Sequence, residues 1–227
     1  YKAIEFYGPT AEKMTIASRM TMSNMAMEIG AKFGFFEPDE KVVEYVKTRT
    51  REPFTLIKSD ADASYEEVYD LDVSNMEPQI ACPYSVGNVK PVTEVEGTKI
   101  DQAFLGSCTN GRFEDLKIAA EILKGKKIHH DLRMLVYPAS WETYREALRA
   151  GLLETFVDAG AVVCNASCGP CFGAMGGLLA DGEKCVASIN RNFVGRMGAS
   201  SAEVYLASPA TVAASALTGV ITDPRKV

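Results

Sequence analysis

"IDQAFLGSCTNGRFEDLKIAAEILKG", Ile100–Gly125, changes character twice. It opens on a largely apolar run, Ile100 to Gly106, then crosses the small and polar "SCTNGR", Ser107 to Arg112. It closes as a helix with apolar residues three and four apart, ended by Gly125. A short apolar run bounded by glycine fits a buried strand; the spacing that follows fits a helix packed on one side. The pattern then recurs. "RMLVYPAS" precedes the helical "WETYREALRAGLLETFVDAG", and "AVVCNAS" precedes "GAMGGLLADG", a short helix or turn of small residues. "KCVASIN" comes before "SPATVAASALTG", a helix that Pro209 helps to start. Four strand–helix alternations predict a doubly wound α/β domain with a mostly parallel sheet over residues 91–227.

Residues 1–90 read as a separate, partial α/β unit. "MTIASRMTMSNMAMEIGAKFG", Met14 to Gly34, fits a helix whose methionines serve adaptable packing. "EPDEKVVEYVKTR" carries a helix start at Pro38 and Asp39, with Val42, Val43 and Val46 at helical spacing. The acidic Asp60–Met76 stretch suggests a strand near Val68–Val73, and "PYSVGNVKPV", Pro83 to Val92, reads as a linker.

Bulk properties narrow the function classes. The 227 residues are 47% apolar and 24% charged, ordinary for a globular protein. The net charge of −6 argues against a nucleic-acid partner. No apolar run reaches the length of a membrane span. The cysteines are too sparse for a disulfide scaffold, which fits a reducing cytoplasm, where clustered thiols bind metal or do chemistry.

Chemistry-bearing residues collect at predicted strand ends. "SCTNGR" follows the first strand of the series, "SCGPC" (Ser167–Cys171) the third, and "NRNFVGR" (Asn190–Arg196) the fourth. Ligands of open parallel sheets bind beyond the carboxyl ends of the strands, so Cys108, Cys168, Cys171, Arg191 and Arg196 are expected to converge on one crevice. Three chemistries suit the thiols. A redox pair of the Cys-Gly-Pro-Cys type has no Trp before it here, and Gly173, Gly176 and Gly177 crowd behind it. A structural zinc site lacks a second paired step, and His129 and His130 sit in a Lys-rich loop. Three thiolates without a fourth suit an iron–sulfur cluster with one iron left open to substrate. Cys164 and Cys185 in apolar strands read as core filler, and Cys82 carries no assigned role.

"GSCTNGR", "CGPC", "NRNFVGRMG", "YLASP" and "MTMSNMAMEIGA" together resemble the aconitase superfamily, and within it the large subunits of the isopropylmalate dehydratase and homoaconitase kind. The similarity runs from Ile4 to Asp223. It implies a [4Fe-4S] cluster held by Cys108, Cys168 and Cys171, with Asn110 and Asn190 packed around it. It also implies that Arg191 and Arg196 hold carboxylates of a small anionic hydroxy acid, and that Asn24 and Glu28 serve as a catalytic pair. The implied reaction is dehydration and rehydration of a hydroxy di- or tricarboxylic acid. For the dehydratase this is a step of leucine biosynthesis; homocitrate is the alternative substrate. Family members carry a further N-terminal domain with catalytic His and Asp residues that nothing here matches; "KAIEFYGPT" resembles the middle of their second domain. That domain is therefore expected before Tyr1. The base-bearing swivelling domain is expected on a separate small subunit, so the chain alone should not turn over substrate. The rival class is an iron–sulfur sensor or redox protein, against which Arg191 and Arg196 discriminate.

Overall fold

A computed structural model describes residues 1–227. The chain divides into two compact units, Tyr1–Asn75 and Met76–Val227. The division falls ahead of the Pro/Gly-rich stretch expected to be a linker.

The first unit opens with β1 (Ala3–Phe6), α1 (Pro9–Lys13) and α2 (Ile16–Met25), followed by β2 (Phe33–Phe36) and α3 (Glu40–Lys47). β1 and β2 pair in parallel, Ala3 opposite Phe33 through Phe6 opposite Phe36. The helix expected over Met14–Gly34 is shorter than that. Thr15 caps it by accepting the Ser18 N–H, it tightens into a 3-10 turn at Ala26–Ile29, and left-handed Gly30 ends it. The aromatic "FGFF" that follows is strand, not helix. Asp39 caps α3 through the Val42 N–H, as the sequence predicts. No strand forms at Val68–Val73. Residues 51–75 carry neither helix nor strand, and most of the stretch is exposed. Its alternation has no neighbouring strand to pair with.

The second unit contains β3 (Gln79–Ala81), β4 (Val89–Pro91), β5 (Gln102–Gly106), α4 (Ser107–Asn110), α5 (Phe113–Leu123) and β6 (Arg133–Tyr137). There follow α6 (Trp141–Arg149), α7 (Leu152–Ala159), β7 (Val162–Val163), β8 (Lys184–Ala187), β9 (Glu203–Ala207) and α8 (Pro209–Thr218). One sheet runs β4-β3-β9-β8-β5-β6-β7. β9, β8, β5, β6 and β7 are parallel; β3 and β4 are antiparallel additions at one edge. The stretch expected as a linker is thus the turn and second strand of a hairpin, because Ile80 and Ala81 find partners on β9.

The strands alternate between two cores. Ala103, Leu105, Met134 and Val136 face a cluster with Leu116, Leu123, Phe156 and Val212, contributed by α5, α7 and α8. Phe104, Leu135 and Ala187 face the opposite cluster with Leu179, Ile189, Met197 and Cys171. The helices therefore cover one face, and the loops after β7 and β8 close the other. This corrects the doubly wound expectation. "GAMGGLLADG" forms no helix, since its glycines lack the side chains a helical layer would bury. The long helix expected after β6 also breaks, at left-handed Gly151, into α6 and α7.

Candidate functional site

The loops following β5, β7 and β8 leave the same end of the parallel strands, and hydrogen bonds tie two of them together. The Gly106 N–H donates to Ser188 Oγ at 3.0 Å, and that hydroxyl donates to the Asn110 carbonyl at 3.3 Å. Ser107, next in line, is held at a positive φ of 70°, a strained conformation for a residue with a side chain. The turn it opens carries Cys108, whose thiol is exposed. Asn110 donates from Nδ2 to buried Asp115 at 3.3 Å, and the Arg112 N–H donates to the same carboxylate at 3.0 Å. Burial pushes the Asp115 carboxyl above its usual range, against both bonds.

Cys168 and Cys171 stand at either end of a single 3-10 turn, Gly169–Phe172, closed by the Cys171 N–H on the Cys168 carbonyl at 3.1 Å. Cys168 is half-buried and Cys171 buried. The Cys168 thiol is pushed up first by burial, then by the charges of Cys108 and Cys171, with a hydrogen bond to Cys108 contributing. The three thiols are therefore electrostatic neighbours although sixty residues of sequence separate the first from the second. Cys171 donates to Asn190 Oδ1 at 3.9 Å and accepts from Arg196 Nη2 at 3.6 Å. Arg196 Nε is buried without a hydrogen-bond partner, and its guanidinium carbon lies 5.2 Å from the Phe193 ring centroid. Arg191, half-buried, is on the same loop. The structure thus brings together Cys108, Cys168, Cys171, Asn110, Asn190 and the arginine loop.

Asn24 and Glu28 belong to the first unit. Both are half-buried, Asn24 on α2 and Glu28 on the 3-10 turn beyond it. Four apart in sequence, they lie on two successive helical segments rather than within one α-helix. The cleft of about 210 Å³ in that unit is lined by Phe6, Arg19, Phe36 and Asp39 and includes neither of them. Arg19 and Asp39 pair across it at 2.5 Å, which holds the Asp39 carboxyl below its usual range.

The remaining cysteines are spectators of this cluster. Cys185 is fully buried, and burial pushes its thiol up to about 12. Cys82 is buried and shifted the same way. Cys164 lies past β7 beside Tyr137, whose hydroxyl burial and that thiol push up to about 12. His129, His130 and Asp131 place donor atoms within 4.8 Å of one another, at the opposite end of the sheet before β6. Those atoms are already engaged: His129 Nδ1 accepts the Asp131 N–H at 3.3 Å, and the Asp131 carboxylate faces His130 Nε2 at 3.3 Å.

Sequence reasoning missed Ser188, Asp115 and Asn192. Asp115 sits third in its helix, a position where an acid commonly receives the N-cap amide, so its spacing was a usable signal. Asn192 lies inside "NRNFVGR" but was passed over between two arginines. Nothing marks Ser188.

The fold is thus an α/β domain with a mostly parallel sheet, and loops at the carboxyl ends of its strands carry three cysteines, with the Arg196 guanidinium on one sulfur. The aconitase family model (aconitate hydratase) matches residues 1–97 and 84–219. The chain belongs to the aconitase family. It is 56% identical over 225 residues to the 3-isopropylmalate dehydratase large subunit 1 of Methanopyrus kandleri, covering 99% of this chain and 54% of that protein. It is 57% identical over 224 residues to the probable 3-isopropylmalate dehydratase large subunit of Methanothermobacter thermautotrophicus, with 99% and 54% coverage. The probable methanogen homoaconitase large subunit of the same organism is 54% identical over 226 residues, with 100% and 53% coverage. The chain spans about half the length of these relatives. No helix is long and apolar enough to cross a membrane.

Proposed function

We propose that this chain is the cluster-binding portion of the large subunit of a hydro-lyase that isomerises 3-isopropylmalate, working with a small subunit that carries the swivelling, base-bearing domain. The observation that carries the reading is the gathering of Cys108, Cys168 and Cys171 with Arg196 donating to the Cys171 sulfur. Three thiols without a fourth Cys or His beside them suit a [4Fe-4S] cluster with one iron left open better than a closed four-ligand zinc site.

When bound through three thiolates, such a cluster supplies a Lewis-acidic iron without a protein ligand, suited to a substrate hydroxyl. The chain's own residues bind and orient the acid. Arg196 brings a buried donor with no partner and Arg191 a second fork; planar guanidinium groups grip carboxylates in two-point fashion. Fixing the carboxylates decides which carbon loses its proton and which its hydroxyl. Asn110 and Asn190, anchored on Asp115 and Cys171, shape the wall of the site. The resemblance gives Asn24 and Glu28 the catalytic roles, Glu28 as the carboxylate that hydrogen-bonds the departing hydroxyl or water. The acid would lose water, its carbon-bound proton going to the base on the small subunit, to give an unsaturated acid that takes water back in the opposite sense.

The homoaconitase relative, nearly as similar as the dehydratases, supports homocitrate as the second reading. The test uses the full-length large subunit, assembled with its small subunit and loaded with iron and sulfide under anaerobic conditions. Addition of 3-isopropylmalate is expected to change the electron paramagnetic resonance spectrum of the reduced cluster and to give the unsaturated acid, absorbing in the ultraviolet. A cluster whose spectrum ignores every hydroxy acid offered would sink the enzyme reading in favour of a sensor or redox role. Preference for homocitrate would move the substrate to the second reading.

A further inference from the structure

We propose that Asn192 is a positioning residue for the two arginines, fixing the loop that presents Arg191 and Arg196 to a dicarboxylate. The inference rests on the reading that those arginines hold substrate carboxylates.

Asn192 is 1% exposed. Its Nδ2 reaches the Cys82 carbonyl at 2.9 Å, the Val204 carbonyl at 3.1 Å and the Ala81 carbonyl at 3.4 Å. Ala81 ends β3, Cys82 follows it, and Val204 lies in β9. One amide thus rivets the loop after β8 to two neighbouring strands. Its Oδ1 is buried and has no partner. An orphaned buried acceptor works against stability, so a side chain chosen for stability alone would not leave one. The position favours geometry.

That geometry passes directly to both arginines. Arg191 stands between two buried asparagines, Asn190 held on the Cys171 thiol and Asn192 held on β3 and β9. Its backbone is therefore fixed on both sides. On the other side of Asn192, the Phe193 carbonyl accepts the Arg196 N–H at 3.0 Å, and the Phe193 ring lies 5.2 Å from the Arg196 guanidinium carbon. Moving Asn192 moves Phe193, and with it the platform of Arg196. Arg196 Nη2 is meanwhile tethered to Cys171 at 3.6 Å, which ties the carboxylate grip to the thiol site. The cysteines themselves lie on other loops, with Asn190 and Arg196 reaching only Cys171, so iron content should hold when Asn192 is changed.

The test compares Asn192→Ala and Asn192→Ser with the wild type in the full-length, cluster-loaded large subunit assembled with its small subunit. The probe is 3-isopropylmalate, read by KM, kcat and calorimetric Kd, alongside iron per chain and cluster absorption. Asn192→Ala is expected to raise KM and Kd about tenfold, with kcat held within about threefold and iron content unchanged. Asn192→Ser, which keeps a short donor toward the same carbonyls, should recover part of the affinity, and decides the matter if the alanine variant does not fold. Unchanged KM and Kd would overturn the proposal. So would a fall in iron content that tracks the loss of affinity, or failure of both variants to assemble, since either makes Asn192 a general fold determinant. If the wild type binds the acid without turning it over, the functional reading fails while the calorimetric comparison still decides the role of Asn192. If it does not bind the acid at all, both fall.

Discussion

Asp115 illustrates how single residues hold the site. Its buried carboxylate accepts from the Arg112 amide and from Asn110 Nδ2, bracing the turn that carries Cys108. Asp115→Ala would leave both donors without an acceptor and should cost about 1–3 kcal/mol of unfolding free energy in a urea titration. Asp115→Asn keeps the shape and one acceptor and should retain most of the stability. Its pH dependence has a definite sign. The folded carboxyl is raised above the ordinary value of 3.8, with burial the largest cause. The favourable contribution of the protonated form is then complete below that value and fades as pH rises through the raised one. The wild type should lose ground to Asp115→Asn between acid pH and neutrality; a pH-independent difference between the two would contradict the assignment. The cysteines and arginines stand out as candidates because the motifs that carry them follow predicted strands, and parallel sheets gather such ends. Ser188 was not, because a lone serine at a strand end carries no spacing; only the fold reveals that its hydroxyl bridges Gly106 and Asn110.

Among the elements, the β5–α5 connection is the most tightly built. A Cβ on Gly111 would stand 2.6 Å from the Tyr137 carbonyl oxygen and 2.7 Å from that of Ser107, both backbone atoms with no freedom to yield. Gly111 itself has an ordinary φ of −114°, so Gly111→Ala tests close approach without backbone strain. Gly125, closing α5, is the converse: φ is +72° and nothing lies within 4 Å of a new Cβ. Gly125→Ala should cost about 1–2 kcal/mol from its left-handed backbone alone and leave cluster loading intact. Gly111→Ala should cost about 3 kcal/mol and lower the iron bound per chain on reconstitution, because Cys108 is displaced with the turn. Equal effects from the two variants would show that the turn is not packed as described. The same contrast explains which elements the sequence revealed. α3 and α5 announce themselves through caps, apolar spacing and an end. β3 and β4 do not, since three-residue strands become strands only by pairing, β3 with β9 and β4 with β3. The loop after β7 reads as a short helix or turn locally, but together with the loop after β8 it closes one face of the sheet.

At the scale of the whole chain, the two units differ sharply in what they bury. In Tyr1–Asn75 the buried apolar side chains are Ala17, Ala26 and Ala31, while Phe33, Phe35, Ile57 and Leu71 are more than half exposed. Three alanines give little apolar area, and burial of such area is the main favourable term in folding. Met76–Val227 instead closes two clusters around one sheet, with Phe104, Leu105, Leu116, Phe156 and Val186 wholly excluded from solvent. Opening free energies should follow this division. In amide hydrogen exchange on the chain of residues 1–227, residues 51–75 should exchange at close to unprotected rates. The α2 and α3 amides should open well below the global unfolding free energy. The β5 and β8 amides, at the centre of the larger sheet, should exchange only on global unfolding and lose protection together as urea rises. Protection of α2 equal to that of β5 would show that the first unit has stability its own core does not explain.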